Sequence, residues 1–135
     1  VETGPMARYF RQSPLNAIWE GSGNVIALDV LRAMEREPQS TESLRAFLAS
    51  ARGSHSSYDN WLDTLAFDGL TQQDARHSVE RLALAAQAAV LINAGSVIAE
   101  PFCRLRLDRP SYTFGASGAT IDARSIIERA MPKIT

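Results

Sequence analysis

One carboxylate raises the question of chemistry in this chain. In IWEGSGNVIALDVLRAM, residues 18–34, an apolar run stops at Glu20, and Gly21, Ser22, Gly23 and Asn24 follow before an amphipathic stretch begins. A lone carboxylate becomes a useful general base where an apolar wall raises its pKa toward neutrality. Ile18 and Trp19 can help supply that wall. Gly21 and Gly23 let a ligand approach the backbone, and free N–H groups at a helix start bind phosphate or carbonyl oxygen. The bland alternative is a solvated acid favoured by the helix dipole. On composition alone that alternative is the commoner by roughly three to one, because single short motifs are weak site signals.

Other reactive residue types are sparse. His55 and His77 are the two histidines, and Cys103 is the one cysteine. Their spacing matches no metal-ligand set, so no metal site is expected. Both histidines are expected at the surface. Cys103, in AEPFCRL, reads as a small core residue, and a lone cysteine forms no intramolecular disulfide. No Ser-His-Asp arrangement and no GxxxxGK[ST] loop can be argued. Arg104, Arg106 and Arg109 cluster in RLRLDR and have the chemistry to touch phosphate. Glu100 and Asp108, four residues either side of Arg104, offer helical ion pairs instead, and a paired, solvated face is the expected state.

The 135 residues suffice for one domain with a real core. Composition is ordinarily globular, with 45% hydrophobic and 21% charged residues. A net charge of −1 carries no basic excess for nucleic acid or an acidic membrane. No signal peptide and no stretch long enough to span a bilayer is visible, which makes the cytoplasm the expected compartment. The opening VETGPMARYF reaches the Glu20 segment within two dozen residues. The expectation is the tail of a longer protein or a fragment of one.

The elements that must position Glu20 read as helices. Gly4-Pro5 and Ser13-Pro14 allow at most a short helix over 6–12. Ala27, Val30, Leu31 and Met34 follow helical spacing and predict a helix from Asn24 to about Arg36, capped by Ser22 or Asn24 and ended by Pro38. Ser40 or Thr41 is expected to cap a second helix ending at Gly53, with Leu44, Phe47, Leu48 and Ala51 on one face. SHSS, 54–57, reads as a loop and the best internal linker, and a short helix is expected from Tyr58 to Phe67. TQQD, 71–74, resembles a capping box with Asp for Glu. The long helix after it, to about Asn93, has Val79, Leu82, Ala83, Ala86 and Val90 as its expected buried stripe. Residues 96–108 predict a helix that starts near Glu100 or kinks at Pro101. Residues 109–120 read as a loop, and Asp122 as the cap of a last helix with Ile126 and Ile127 inward. Nothing alternates at period two, so the fold class is all-α, a bundle of five or six helices.

RYFRQSPLNAIWEGSGNVIALDVLRAM, Arg8 to Met34, resembles the catalytic-glutamate segment of acyl-CoA dehydrogenases. It is most similar to the alkylation-response (AidB-type) branch, which carries Trp before the Glu and Gly-Asn after the turn. VERLALAAQAAVLINAG, AEPFCRLRLD and IDARSIIERAMP resemble that branch's extra C-terminal helices. The resemblance covers nearly the whole chain and is weakest over 37–70. It implies that residues 1–36 end a dehydrogenase C-terminal domain and that 37–135 form an extra helical domain. It implies Glu20 as the base that takes the α-proton of an acyl-CoA thioester, with its own N–H helping to hold the thioester oxygen. Gly21 falls where the backbone passes substrate; Ser22, Gly23 and Asn24 fall on the segment that contacts FAD; Ile18 and Trp19 line the same cleft. The family's N-terminal helical domain and middle β-domain, which build most of the flavin pocket, are not in these residues. The chain alone is therefore not expected to retain FAD or turn over. Double-stranded DNA is a partner implied for the branch, and a DNA-binding or DNA-protecting module is the alternative function. A second alternative is a helical assembly module without cofactor.

Too many large apolar residues flank the segment to fit one helical stripe: Ile18, Trp19, Val25, Ile26 and Leu28 lie beside Ala27, Val30, Leu31 and Met34. Residues 15–34 are expected to self-associate or to dock on another chain, with Trp19 in the contact. A homo-oligomer is the expected state of the parent.

Overall fold

The computed structural model describes residues 3–19, 21–108, 116 and 120–131. Among these the chain is all-α, with helices α1 (Met6–Gln12), α2 (Gly23–Arg36), α3 (Pro38–Ala49), α4 (Ser56–Asp63), α5 (Ala75–Asn93), α6 (Ala99–Cys103) and α7 (Ala123–Ala130). A 3-10 turn, Ser13–Ala17, follows α1, and a widened π-type turn, Arg104–Asp108, continues α6. Pro14 does not end the first helix outright; the backbone tightens into 3-10 geometry around it.

Helix α2 begins one residue before the expected start. Pro38 ends it, as expected, but also opens α3. Glu37 closes α2 by donating its N–H to Ala33 O at 2.8 Å and is at the same time the N-cap of α3. A proline at the first helical position loses no hydrogen bond and has its φ already set. The expected caps Ser40 and Thr41 therefore lie inside α3. Ser40 Oγ donates back to Glu37 Oε2 at 3.1 Å, and Thr41 Oγ1 to Met34 O at 3.3 Å, so both pin the α2–α3 corner.

The SHSS stretch is not a linker. His55 is the N-cap of α4, and Ser56 and Ser57 are helical. The Gly53 N–H donates to both carboxylate oxygens of Asp59 at 3.1 and 3.2 Å, and the Tyr58 hydroxyl donates to Leu48 O at 2.8 Å. These bonds lock α4 onto the end of α3. Gly53 has φ +84, a conformation that favours glycine. Helix α4 ends at Asp63, before the expected Phe67, whose ring lies under the Arg45 guanidinium at 4.1 Å.

The core sits where α3, α4, α5 and the π-type turn meet. Leu48, Tyr58, Ala85, Ala88, Ala89 and Cys103 are essentially inaccessible there. On α5 the buried residues are Ala75, Leu82, Leu84, Ala85, Ala88 and Ala89; Ala83 and Val90 face out, against expectation. A helix reading LALAAQAAVL is apolar nearly all round, so periodicity cannot select its inner face. The neighbours select the side where alanines admit the closest approach. The helix closes with a Schellman turn: Ser96 N–H donates to Leu91 O and Gly95 N–H to Ile92 O, both at 2.9 Å, with Gly95 at φ +57. Pro101 is the third residue of α6, still within the first turn, where a missing N–H is harmless. Asp122 caps α7 as expected, accepting from Arg124 N–H at 3.0 Å, but Ile127 is exposed beside a half-buried Ile126.

Candidate functional site

The segment before α2 is a hook of consecutive turns. The N–H groups of Ile18 and Trp19 donate to Leu15 O at 2.9 and 3.1 Å, and Gly21 N–H returns to Ile18 O at 3.1 Å. Gly21 has φ +113, where any other residue is strained, and a Cβ there would lie 3.6 Å from Val25. Only glycine makes this reversal comfortably. Glu20 itself lies outside the described residues. Its neighbours Ile18 and Trp19 are 62% and 66% exposed, and Ser22, Gly23 and Asn24 are exposed at the entrance to α2.

Among the described residues no side chain caps the entrance. Ser22 has the extended backbone of an N-cap, φ −67 and ψ 154, yet its side chain makes no capping bond. The first intrahelical bond runs from Ile26 N–H to Ser22 O at 3.0 Å. Gly23, Asn24 and Val25 are the positions whose N–H groups a helix cannot satisfy internally. From α5, Arg76 reaches this corner: its Nη1 donates to Asn24 Oδ1 at 3.2 Å, and its Nη2 lies 3.5 Å from where a Cβ on Gly23 would be. Arg76 escaped the sequence reading because TQQDAR signals only a helix start.

A hollow lies further along α2. A groove of about 750 Å³ is floored by Leu28, Leu31, Met34 and Phe67, with Arg45 bridging it to Asp68 at 2.8 Å. Among the described residues, its lining includes none of 18, 19 and 21–24. The remaining candidates are structural. Cys103 is buried, and burial pushes its thiol up to about 11. Burial likewise pushes the Tyr58 phenol up to about 12. His77 is exposed on α5, whereas His55 is half-buried at the α4 start. Arg104 pairs with Glu100 at 3.8 Å, as its spacing predicts; Arg106 is half-buried and Arg109 lies outside the described residues. Among the described residues no group of three His, Cys, Asp or Glu side chains could hold a metal ion, and no helix is long and apolar enough to cross a membrane.

No protein-family model and no solved structure matches the chain significantly. One curated relative does: AidB of Escherichia coli (strain K12), an acyl-CoA dehydrogenase by name, 29% identical over 116 residues. The match covers 79% of this chain and 20% of the relative, so the chain spans about a fifth of the length of the protein it resembles. Most of this chain, all-α among its described residues, is thus similar in sequence to AidB, named as an acyl-CoA dehydrogenase.

Proposed function

We propose that the chain supplies the catalytic-base segment and the supporting helices of a flavin-dependent acyl-CoA dehydrogenase-like protein. In this reading residues 1–36 complete the dehydrogenase C-terminal domain and 37–135 form an added helical domain. Glu20 is the catalytic base. Its carboxylate takes the α-proton of an acyl-CoA thioester, while its N–H helps hold the thioester oxygen and so acidifies that proton. FAD, when bound, supplies the acceptor for the hydride from the β-carbon. Gly21 keeps the backbone clear for substrate; Ile18 and Trp19 wall the cleft; Ser22, Gly23 and Asn24 form the flavin-side segment.

The observation that carries this reading is the similarity to AidB; the WEGSGN stretch is the motif that resembles the family's catalytic-glutamate segment. The local geometry fits the group: a glycine-only reversal at Gly21, an uncapped first turn of α2, and an apolar wall standing in solvent. That exposed wall is unfinished as a pocket. The dehydrogenase body is the partner that would complete it, and FAD is not expected to stay on this chain alone.

The experiment is a flavin titration of the chain by itself and of a longer protein that also carries the helical and β-domains of a dehydrogenase. The longer protein is expected to hold FAD stoichiometrically, and its Glu20→Gln variant to keep the flavin but lose acyl-CoA-dependent bleaching. FAD held tightly by the chain alone, or a Glu20→Gln variant that still bleaches, would contradict the reading. A duplex-DNA role is the alternative; retardation of duplex DNA by the chain, weakening as salt rises, would favour it.

A further inference from the structure

We propose that the groove between α2 and α3 is a docking site for helix α1 of a second copy of this chain. Two copies exchange their first helices reciprocally, each filling the other's groove. The contact needs neither flavin nor Glu20 and lies beyond the dehydrogenase reading.

The shapes match. The groove, about 750 Å³, is floored by Leu28, Leu31, Met34 and Phe67, which are only half-buried and so offer apolar surface to an occupant. On α1, Met6, Tyr9 and Phe10 are exposed and, at i, i+3 and i+4, share one face. A seven-residue helix has little stability of its own in water, so that face gains from a wall. Helix α1 does not take the groove of its own chain. None of its residues lines that groove, and the turns closed on Leu15 O and Ile18 O fix the direction in which it leaves α2.

The charges match as well. The groove is lined by Glu35, Glu42 and Asp68 against Arg32 and Arg45. Both arginines are engaged, Arg32 by Asp29 and Arg45 by Asp68. The charge left at the rim is that of Glu35 and Glu42, both exposed. MARYFRQ carries Arg8 and Arg11 and no acid. Arginine stems lie along apolar surface and deliver their charge at its edge, so a seated α1 brings its guanidinium groups toward these carboxylates. The area is sufficient too. An enclosed Tyr or Phe side chain buries about 150–250 Å². Four such rings in a reciprocal pair, with Met6 and the groove walls they cover, reach the range of about 1,200–2,000 Å² typical of a stable interface. The pairing is isologous and closes on itself.

The test is sedimentation of the 135-residue chain and of two variants changed only at exposed positions. Phe10→Glu spoils the helix face and leaves the groove. Glu35→Arg with Glu42→Arg spoils the groove and leaves the helix. Wild type is expected to dimerise as concentration rises, and each variant alone to dimerise at least about a hundredfold more weakly, the scale of losing an interface anchor twice. An equimolar mixture of the two variants is expected to recover hetero-dimers, because one intact helix still meets one intact groove. Wild type that stays monomeric, self-association that Phe10→Glu leaves unchanged, or a mixture that associates no better than its components would overturn the proposal. A monomeric wild type that sediments with phosphatidylglycerol vesicles would assign α1 to a lipid surface instead. Loss of helical circular dichroism in dilute Phe10→Glu would place α1 against its own body. Either of these results would also overturn it.

Discussion

The two ends of this molecule are built to different rules. Around α3, α4, α5 and α6 large inward side chains are covered: Leu48 and Tyr58 are sealed beneath the alanines of α5, and the buried Tyr58 hydroxyl donates to Leu48 O. Among the described residues over 6–26 no side chain is buried; Phe10 is 79% exposed, and Met6, Tyr9, Ile18 and Trp19 are exposed with it. Burial begins only at Ala27, where α2 lies on α5. Each large apolar side chain left wet forgoes on the order of 1.5–3 kcal/mol. One region therefore holds itself together, and the other leaves its large apolar side chains in solvent.

The sharpest way to break this comparison is to truncate one side chain in each region. Leu48→Ala removes a fully buried side chain and leaves a cavity beside Tyr58. It is expected to cost about 2–5 kcal/mol in urea unfolding. Phe10→Ala and Trp19→Ala, although larger truncations, are expected to stay within about 0.5 kcal/mol in the monomer. Comparable losses in the two regions would erase the distinction.

A smaller effect probes the core hydrogen bond. Tyr58→Phe removes the hydroxyl donor to Leu48 O, which still accepts from Ala51 N–H at 3.3 Å, and about 0.5–1.5 kcal/mol is expected to be lost.

The same core has a signature at high pH. Burial raises the Cys103 thiol from 9.0 to about 11 and the Tyr58 phenol from 10.0 to about 12. A raised folded-state pKa favours the neutral form, so the unfolded chain loses its protons first. Stability is then full below pH 9, falls as Cys103 titrates between 9 and 11, and falls further as Tyr58 titrates between 10 and 12. Urea midpoints measured across this range should show that decline. Cys103→Ala should start from a lower plateau and begin its decline about one unit later. The exposed apolar surface adds no such pH dependence.

The same contrast explains what the sequence made legible. Helix α2 was readable because Ala27, Val30, Leu31 and Met34 mark one stripe and Gly23-Asn24 marks its start. The α7 cap was readable because Asp122 does its work locally. The inner face of α5 was not, since a helix apolar on every side leaves the choice to its neighbours. Pro38 was half readable: it stops one helix, but whether it starts the next depends on the corner that Thr41 and Met34 pin. At the site, the glycines announced an approachable backbone, while Arg76 was invisible because its partner lies 52 residues away.

The central claim is that residues 15–34 form a surface that another body covers. Sedimentation of the Trp61→Phe chain, with Trp19 as its remaining tryptophan, tests this most directly. The chain is expected to associate as concentration rises, with Trp19 emission shifting to the blue in step. Trp19→Ala combined with Leu28→Glu is expected to return it to a monomer. A chain that is monomeric throughout, with Trp19 emitting as a solvated indole at every concentration, would contradict the claim.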